Sequence, residues 1–584
     1  MYYRIISKTI DILKYTKYIR SLIKNNIKNL YENKVENSKH NFSLDLSPNN
    51  IKLSEETNNN IKLSKNLDSN LDYFKGSFKS LISSDITIKN FTITIKNKSI
   101  NCAIFFIDGI TNTSTINDFI LKPLLLKNSI NMNPTSISET TNNISNTYNK
   151  IVSVKKFDLE SFIFNSLIPE ANVKKESDIL KIIEHINMGF TALFVDTIST
   201  SFLIETKTDN TRSISPPLTE PIIKGAHQGF VENIRTNTSL IRKIINNENL
   251  IIENIDVGKI TKTNVAICYM GNITNDSLIS EIKYRLNNIN LDYLIFPNDL
   301  ETLITDNPKS IFPQTRTTER PDKAALNILS GKVILLINNV PYGIIIPSIF
   351  VDYLSAAEDN NLNYFAANFL KIIRIISLFC ALFLPGIYVA ITSFHQELLP
   401  SELLFAIINA RKSIPFPVIF EILLMEFSFE LLGEASVRVS SSFSTTVGII
   451  GALILGDAAV SANIVSPILI IIIAFTGISS FAIPDYSFKY SIRILRFVFI
   501  ILGYLAGFLG IAFGTFIIFV YLSSMSSFGV SYILPSTPDS ESKINNTNNN
   551  LFIRPIWQKN SRTSYLNTKR PPLENETNKS MNWR

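Results

Sequence analysis

Apolar and polar residues are distributed unevenly along the chain, and between residues 76 and 370 they follow the pattern of strands interleaved with helices. Short apolar runs, together with two stretches that alternate apolar and polar residues, are separated by polar segments. The predicted strands are 86–88, 91–95, 101–107, 191–196, 264–270 and 333–337. Leu278, Ile282 and Leu286 then follow at helical spacing. This alternation predicts a soluble α/β region.

We expect this α/β region to form two subdomains. The first covers residues 76–225 and contains an insert rich in Asn and Ser near 128–149, and the second covers residues 226–370 and connects to the next region. Residues 1–75 are polar and basic, and are predicted to be a disordered or amphipathic head. Charged residues interrupt the apolar positions of this head, so we do not expect a cleaved signal peptide.

From residue 371 to residue 533 the chain becomes strongly apolar. The longest apolar runs are 375–394, 447–460, 464–483 and 497–522. A helix rises 1.5 Å per residue, so a run of about 20 residues can cross a hydrocarbon core of about 30 Å. We predict a helical membrane domain of four to six segments, at least one of them re-entrant or interfacial, followed by a basic tail at 534–584.

The formal net charge of +7 arises at the two ends of the chain. Residues 1–50 and 551–584 each carry a net charge of +5, so the remainder is slightly acidic. No clustered basic patch or nucleic-acid motif is present, and nucleic acid is not a predicted partner. Basic segments beside a membrane region favour the cytoplasmic side and anionic lipid. Arg493 and the basic tail can share that side only if the last apolar run turns back.

Residue types that commonly carry chemistry are scattered. The three cysteines and four histidines show no metal-ligand or disulfide spacing. Gly258-Lys259 and Gly331-Lys332 are not followed by Ser or Thr, so neither completes a phosphate-binding loop. We therefore predict no enzymatic activity, no metal site and no cofactor.

A group of glutamates within an apolar segment is the strongest candidate site. Glu426, Glu430 and Glu434 repeat every four residues, Glu421 precedes them, and Arg438 follows. Ionisable groups at membrane depth usually face a bundle interior, a partner or a water-filled path. This stripe is interpreted either as a cation-attracting lining or as a helix whose acids lie in water or in ion pairs, and the sequence leaves both open.

The last apolar run contains two further features. Gly503, Gly507, Gly510 and Gly514 recur at intervals of four, three and four residues. Small residues let helices approach closely in lipid, so we predict helix packing here, within or between subunits, in preference to a substrate groove. Arg493 and Arg496 precede these glycines and are interpreted as anchors at a helix end.

An ordered series of motifs between residues 150 and 557 resembles the A subunit of the GerA-type spore germination receptors. The motifs that carry the resemblance include 225–232, 236–242, Arg320-Pro321-Asp322, 384–390, Pro415-Phe416-Pro417 with the acids that follow, 480–484 and 527–530. Two positions depart from the family pattern: Gly433 stands where Arg is usual, and Ser440 stands where Pro is usual.

The resemblance implies a nutrient-sensing protein of the spore inner membrane, with its soluble domain on the cytoplasmic, or core, side. It implies a transporter-like B subunit and a lipoprotein C subunit as partners, and A subunits that oligomerise and form or gate an ion channel. The alternative hypothesis is a non-conducting scaffold that couples a nutrient-binding partner to a separate channel. Secondary transport ranks last, because the membrane segments show no inverted repeat.

Overall fold

The computed structural model describes residues 62–570, with gaps at 96–97, 127–158, 171, 209–215, 218, 439–455, 534–551, 554, 556–561 and 563. Most of the predicted head, the Asn- and Ser-rich insert, Ser440 and most of the basic tail lie outside the described residues.

The first subdomain is a five-stranded antiparallel sheet with helices on both faces. Its elements are α1 (Leu67–Ser77), β1 (Ile86–Ile95), β2 (Lys98–Ile107), β3 (Val173–Glu176), α2 (Ile179–Asn187), β4 (Phe190–Val195) and β5 (Ser201–Glu205). The strand order is β1-β2-β4-β5-β3. Successive side chains of β2 point to opposite faces, so Ala103 and Phe105 pack under α1 and α2, and Cys102 and Ile104 pack under helical segments 113–126 and 159–167. Both faces are covered, and this explains the unbroken apolar run in β2.

The folded region begins earlier than the predicted boundary between residues 75 and 76. Leu67, Leu71 and Phe74 of α1 are buried against the sheet. They lie four and three residues apart on one helical face, and the rest of α1 is polar. Three apolar residues within a polar segment gave too weak a pattern to distinguish this helix from the head.

The second subdomain repeats the arrangement of the first. Its elements are α3 (Ile234–Ile244), β6 (Leu250–Val257), β7 (Thr263–Met270), α4 (Asp276–Asn287), α5 (Pro297–Ile304), β8 (Arg316–Thr318), α6 (Pro321–Leu329), β9 (Val333–Ile337) and β10 (Gly343–Ile346). The strand order β6-β7-β9-β10-β8 matches that of the first sheet position by position. Helices α4 and α5 cover one face of the sheet, and α3 and α6 cover the other. The prediction of two α/β subdomains is confirmed. Five of the six predicted strands lie within observed ones, and the predicted strand 191–196 extends one residue beyond the end of β4.

The C-terminal region is helical. It contains α7 (Tyr364–Phe394), α8 (Ser401–Arg411), α9 (Val418–Arg438), α10 (Pro467–Phe481) and α11 (Tyr486–Ser524), and ends in a short hairpin of β11 (Ser526–Ser527) and β12 (Val530–Ser531). Among the described residues, α7 and α11 are long and apolar enough to cross a membrane, and α10 is a shorter apolar helix. The count of four to six membrane segments stays a prediction.

Helix α11 folds back on itself. Ala506 and Gly507 have non-helical backbone angles, with φ of −140° and 57°, and they separate a first leg (486–505) from a second leg (508–524). The ring of Phe312 contacts both Phe488 at the start of the first leg and Tyr521 near the end of the second. The legs are therefore antiparallel, with lengths of about 30 Å and about 25 Å at 1.5 Å per residue. This turn places Arg493 and the chain beyond α11 at the same end of the bundle, as their charges favour.

Candidate functional site

Each glutamate of the predicted stripe is paired with an arginine. The pairs are Glu421–Arg411, Glu426–Arg496, Glu430–Arg493 and Glu434–Arg438. Three of the four pairs join α9 to another helix, and the last lies within α9 itself. The stripe is thus a series of ion pairs along α9, and their burial differs greatly from one end to the other.

The innermost pair joins α9 to the first leg of α11. Arg496 Nη1 donates to Glu426 Oε2 at 2.7 Å, and the two side chains are 4% and 1% exposed. Arg496 Nε also donates to the carbonyl oxygen of Ala381 on α7 at 2.9 Å. Glu426 Oε1 and Arg496 Nη2 are buried without a hydrogen-bond partner. One guanidinium therefore ties three helices together, but the hydrogen-bonding capacity of this pair is only partly used.

The flanking pairs are less deeply buried. Arg411 of α8 lies 3.0 Å from Glu421, whose other carboxylate oxygen accepts the backbone N–H of Ser466 at 3.3 Å. Arg493 Nε donates to Glu430 Oε1 at 2.8 Å. These contacts connect α9 to α8, to the residue that precedes α10, and to α11. In the arrangement observed, the carboxylates of Glu421, Glu426 and Glu430 hold α9 to its neighbours.

The outermost pair is a surface contact. Glu434 and Arg438 are four residues apart on α9, and their side chains are 56% and 78% exposed. A pair of this kind contributes little to stability, at most about 1 kcal/mol. It provides an internal reference for the buried pairs of the same helix.

Arg493 and Arg496 have a different position from the one predicted. The sequence predicts anchors at a helix end, but Arg496 is buried within the bundle and Arg493 is 18% exposed and paired with Glu430. The only sequence signal for this role was their spacing of three residues, which places both on one helical face. The glutamates of α9 repeat at a similar interval, so two helices packed side by side bring the two sets together.

The four glycines pack within this chain. A Cβ atom on Gly503 would lie 2.5 Å from the carbonyl oxygen of Gly386 on α7. A Cβ atom on Gly510 would lie 2.2 Å from the carbonyl oxygen of Leu502. Gly514 faces Phe499 of the opposite leg, and Gly507 forms the turn. Because the helix is interrupted at this turn, the glycines lie on two legs and not on one continuous face. They allow close contact between α7 and the two legs of α11.

A second cluster of charges lies in the second subdomain, near the start of α11. Lys323 of α6 forms an ion pair with Glu220, which also accepts a hydrogen bond from Thr318 Oγ1 at 2.6 Å. Arg316 of β8 lies 3.6 Å from Asp485, which caps the first leg of α11. Burial and the charge of Arg316 lower the pKa of Lys323 to about 8, against the opposing effect of Glu220.

Comparison with known sequences assigns this architecture to a family. Residues 72–565 match the family described as Bacillus/Clostridium GerA spore germination protein. The chain belongs to this family. The resemblance seen in the sequence motifs is confirmed over most of the chain.

Relatives of this GerA-family chain align over most of their length. Spore germination protein KA of Bacillus subtilis (strain 168) is 34% identical over 475 residues, which cover 81% of this chain and 82% of the relative. The uncharacterized membrane protein YfkQ of the same organism is 34% identical over 454 residues, which cover 78% and 83%. The crystal structure of the N-terminal domain of the A subunit of the Bacillus megaterium spore germinant receptor GerK3 aligns at 27% identity with a TM-score of 0.36, covering 50% of this chain and 98% of that one.

Gly433, one of the departures from the GerA-family pattern, lies beside an ion pair. A Cβ atom at this position would have a single neighbour within 4 Å, the Nη2 atom of Arg493 at 3.2 Å. An arginine here, as the resemblance to the family implies, would bring a second guanidinium next to the one that binds Glu430. The substitution therefore bears on the charge balance of that pair.

Proposed function

We propose that this chain is the A subunit of a nutrient-sensing spore germination receptor, a membrane signal transducer that forms or gates an oligomeric ion channel. Family membership supports the role in germination. The observation that carries the gating role is the Glu426–Arg496 pair, which is buried inside an apolar bundle with unused hydrogen-bonding groups on both partners.

A buried ion pair is an expensive way to hold helices together. Removing two charges from water costs several kcal/mol per ion, and well-packed apolar residues are often as stabilising or better. A pair with unsatisfied atoms offsets still less of this desolvation cost. What such a pair adds to a helical bundle is a contact that can open. The freed carboxylate can then attract water and cations, since ionised carboxylates favour cations in a pore.

Membrane placement is part of this proposal. Large apolar side chains on the two long helices face outward, among them Phe379 at 58%, Leu509 at 80% and Phe516 at 64% exposure. Lipid or neighbouring subunits would cover these faces. We place the chain in the spore inner membrane with its α/β subdomains on the core side, in an oligomer with a transporter-like B subunit and a lipoprotein C subunit as partners.

Ion release from spores tests the gating role. Spores would carry the chain with its partner subunits and Glu426→Gln or Glu430→Gln, and a yeast-extract medium would supply the nutrients. We expect both variants to change the rate of potassium release at equal receptor abundance, because the charge balance of a buried pair is altered. Glu434→Gln, in the exposed pair of the same helix, is the matched control and should behave as wild type. Normal release from all three variants would reject the role of the stripe.

A non-conducting scaffold is the second candidate, and the pairing of all four glutamates favours it, because no free carboxylate of the stripe remains to line a path in this arrangement. The two candidates differ in what the purified chain does alone. Current across a planar bilayer containing only this chain would exclude the scaffold. Absence of current, with release in spores dependent on a separate channel protein, would exclude conduction by this chain.

A further inference from the structure

One short segment of the second subdomain contacts both ends of the folded-back helix α11. Residues 306–316 lie between α5 and β8 and include Arg316, the first residue of β8. Phe312 is 4% exposed, and its ring lies 6.1 Å from that of Phe488 in the first leg and 6.5 Å from that of Tyr521 in the second. Ser491 of the first leg donates to the carbonyl oxygen of Ile311 at 2.5 Å. A single loop therefore contacts both legs.

The same segment also holds the hairpin that follows the second leg. Ser527 Oγ donates to the carbonyl oxygen of Gln314 at 2.9 Å, and Ser526 Oγ donates to Asp306 Oδ2 at 2.8 Å. Both serines belong to β11, which begins two residues after the last residue of α11. The end of the second leg is thus fixed to the segment through a side chain at one point and the backbone at another.

A tyrosine pair closes the contact from the outside. The carbonyl oxygen of Pro313 accepts hydrogen bonds from Tyr353 and Tyr532 hydroxyls, each at 2.8 Å. Tyr353 belongs to the second subdomain, and Tyr532 follows the β11–β12 hairpin. Both rings are fully buried, so this backbone oxygen joins the two sides of the junction within a buried contact.

The segment is also fixed to its own subdomain. The Gln314 side chain accepts a hydrogen bond from the backbone N–H of Asn307 at 3.1 Å and donates one to the carbonyl oxygen of Asn307 at 2.8 Å. These two bonds close the loop on itself. Thr315 donates to Glu301 of α5 at 2.6 Å. Arg316, at the start of β8, lies 3.6 Å from Asp485 at the cap of the first leg. Motion of the subdomain relative to the bundle must therefore move this loop and the ends of both legs together.

We propose that residues 306–316 are a coupling segment through which the second subdomain sets the position of both legs of α11. A conformational change is transmitted where packed groups connect two elements that move as units. The coupling segment meets this condition, since it is rigidly bound on one side to a sheet subdomain and on the other to a helical hairpin. This inference rests on the proposed function for its purpose, but the contacts can be tested in the chain alone.

Hydrogen exchange of the full chain in phosphatidylglycerol–phosphatidylethanolamine nanodiscs tests the coupling. Phe312→Ala removes both ring contacts, and Lys309→Ala, an exposed position in the same segment, is the matched control. We expect Phe312→Ala to raise amide exchange at least tenfold at the junction ends of both legs, with β6, β7 and β9 unchanged. The control should exchange as wild type. Exchange within twofold of wild type in both legs of folded Phe312→Ala would overturn the proposal.

Ser491→Ala serves if Phe312→Ala does not accumulate. It deletes one hydrogen bond to the segment, and Ala favours the helix. We expect faster exchange in the second leg as well as the first, although the change lies on the first leg alone; an effect confined to the first leg would overturn the coupling.

In spores with the partner subunits and yeast extract as the nutrient probe, the same variant should shift the concentration for half-maximal potassium release several-fold at normal receptor abundance. Faster exchange in both legs together with an unshifted response would overturn the proposed function and leave the coupling standing, because exchange itself does not depend on whether the chain conducts ions.

Discussion

Buried charges dominate the energetics of single residues in this chain. Loss of one partner from a buried pair leaves an isolated charge in an apolar site, whereas loss of both removes the desolvation cost as well. Glu426 and Arg496 should show this asymmetry strongly, because each has an atom without a hydrogen-bond partner even when paired. Stability and the proposed gating would then depend on the same two side chains, and their effects can be separated by comparing single and double substitutions.

Arg496→Leu is expected to lower the free energy of unfolding by about 3–5 kcal/mol, because it leaves the Glu426 carboxylate buried and unpaired. The double variant Glu426→Leu with Arg496→Leu should cost less than the single one. Titration with SDS, which unfolds the full chain in detergent micelles, measures the free energy of unfolding of both variants. Arg438→Leu, in the exposed pair, should change the free energy by less than about 1 kcal/mol. A double variant at least as unstable as Arg496→Leu would contradict this account.

Lys323 gives the chain a pH-dependent stability in the alkaline range. Burial and the Arg316 charge lower the pKa of Lys323 to about 8, below the usual 10.5 of an unfolded chain. Between these values the unfolded state binds more protons, so the contribution of this group to stability rises with pH. Thermal unfolding midpoints of the full chain in detergent from pH 7.5 to 10.5 should rise more steeply, or fall less, than those of Lys323→Gln. Parallel pH profiles for the two proteins would show that Lys323 does not titrate in this window.

At the scale of elements, the turn in α11 determines the architecture of the bundle. Gly507 has a φ of 57°. A Cβ atom added to Gly507 would lie 2.7 Å from His395, the residue that follows α7. An L-residue would be strained here by about 1–3 kcal/mol even in open space. The turn therefore depends on glycine for both its backbone angles and its contact with α7.

Gly507→Ala is expected to destabilise the bundle by at least about 1–3 kcal/mol, because backbone strain and the clash with His395 act together. Gly456→Ala is the matched control, since a Cβ atom there meets nothing within 4 Å. SDS titration of the two variants in the same micelles compares them directly. Equal free energies of unfolding would show that the turn tolerates a side chain and that α11 is held by its other contacts.

At the scale of the whole molecule, the sequence predicted those features that repeat locally. The central strands were predicted because both faces are buried and the runs are uniformly apolar, and the long helices because they are long and apolar. The three-residue strand β8, with the polar sequence Arg316 to Thr318, has no such pattern. The partner of Arg496 lies 70 residues away on another helix, so no local spacing indicates the pair. The four glycines of α11 look alike in sequence, and only the backbone of the folded chain distinguishes Gly507, which has a φ of 57° at the turn.

The fold of α11 makes a topological prediction that is independent of absolute orientation. Because its legs are antiparallel, Ser487 and Ser531 should lie on one side of the membrane and Glu397, beyond the end of α7, on the other. All three positions are exposed, and at the two serine positions cysteine replaces serine with little change in size. Single cysteines at these positions, with the half-buried Cys380 changed to Ser, would be labelled in sealed vesicles by a membrane-impermeant maleimide.

We expect Ser487→Cys and Ser531→Cys to be labelled from the same side, and Glu397→Cys only from the opposite side. The physical reason is that each leg of about 25–30 Å covers the thickness of a hydrocarbon core, so a single crossing of α11 would leave about half of its length outside the lipid. Labelling of Ser487→Cys and Ser531→Cys from opposite sides would show that α11 crosses once. In that case the coupling segment could not contact both of its ends, and the charges of Arg493 and the basic tail would lie on different sides.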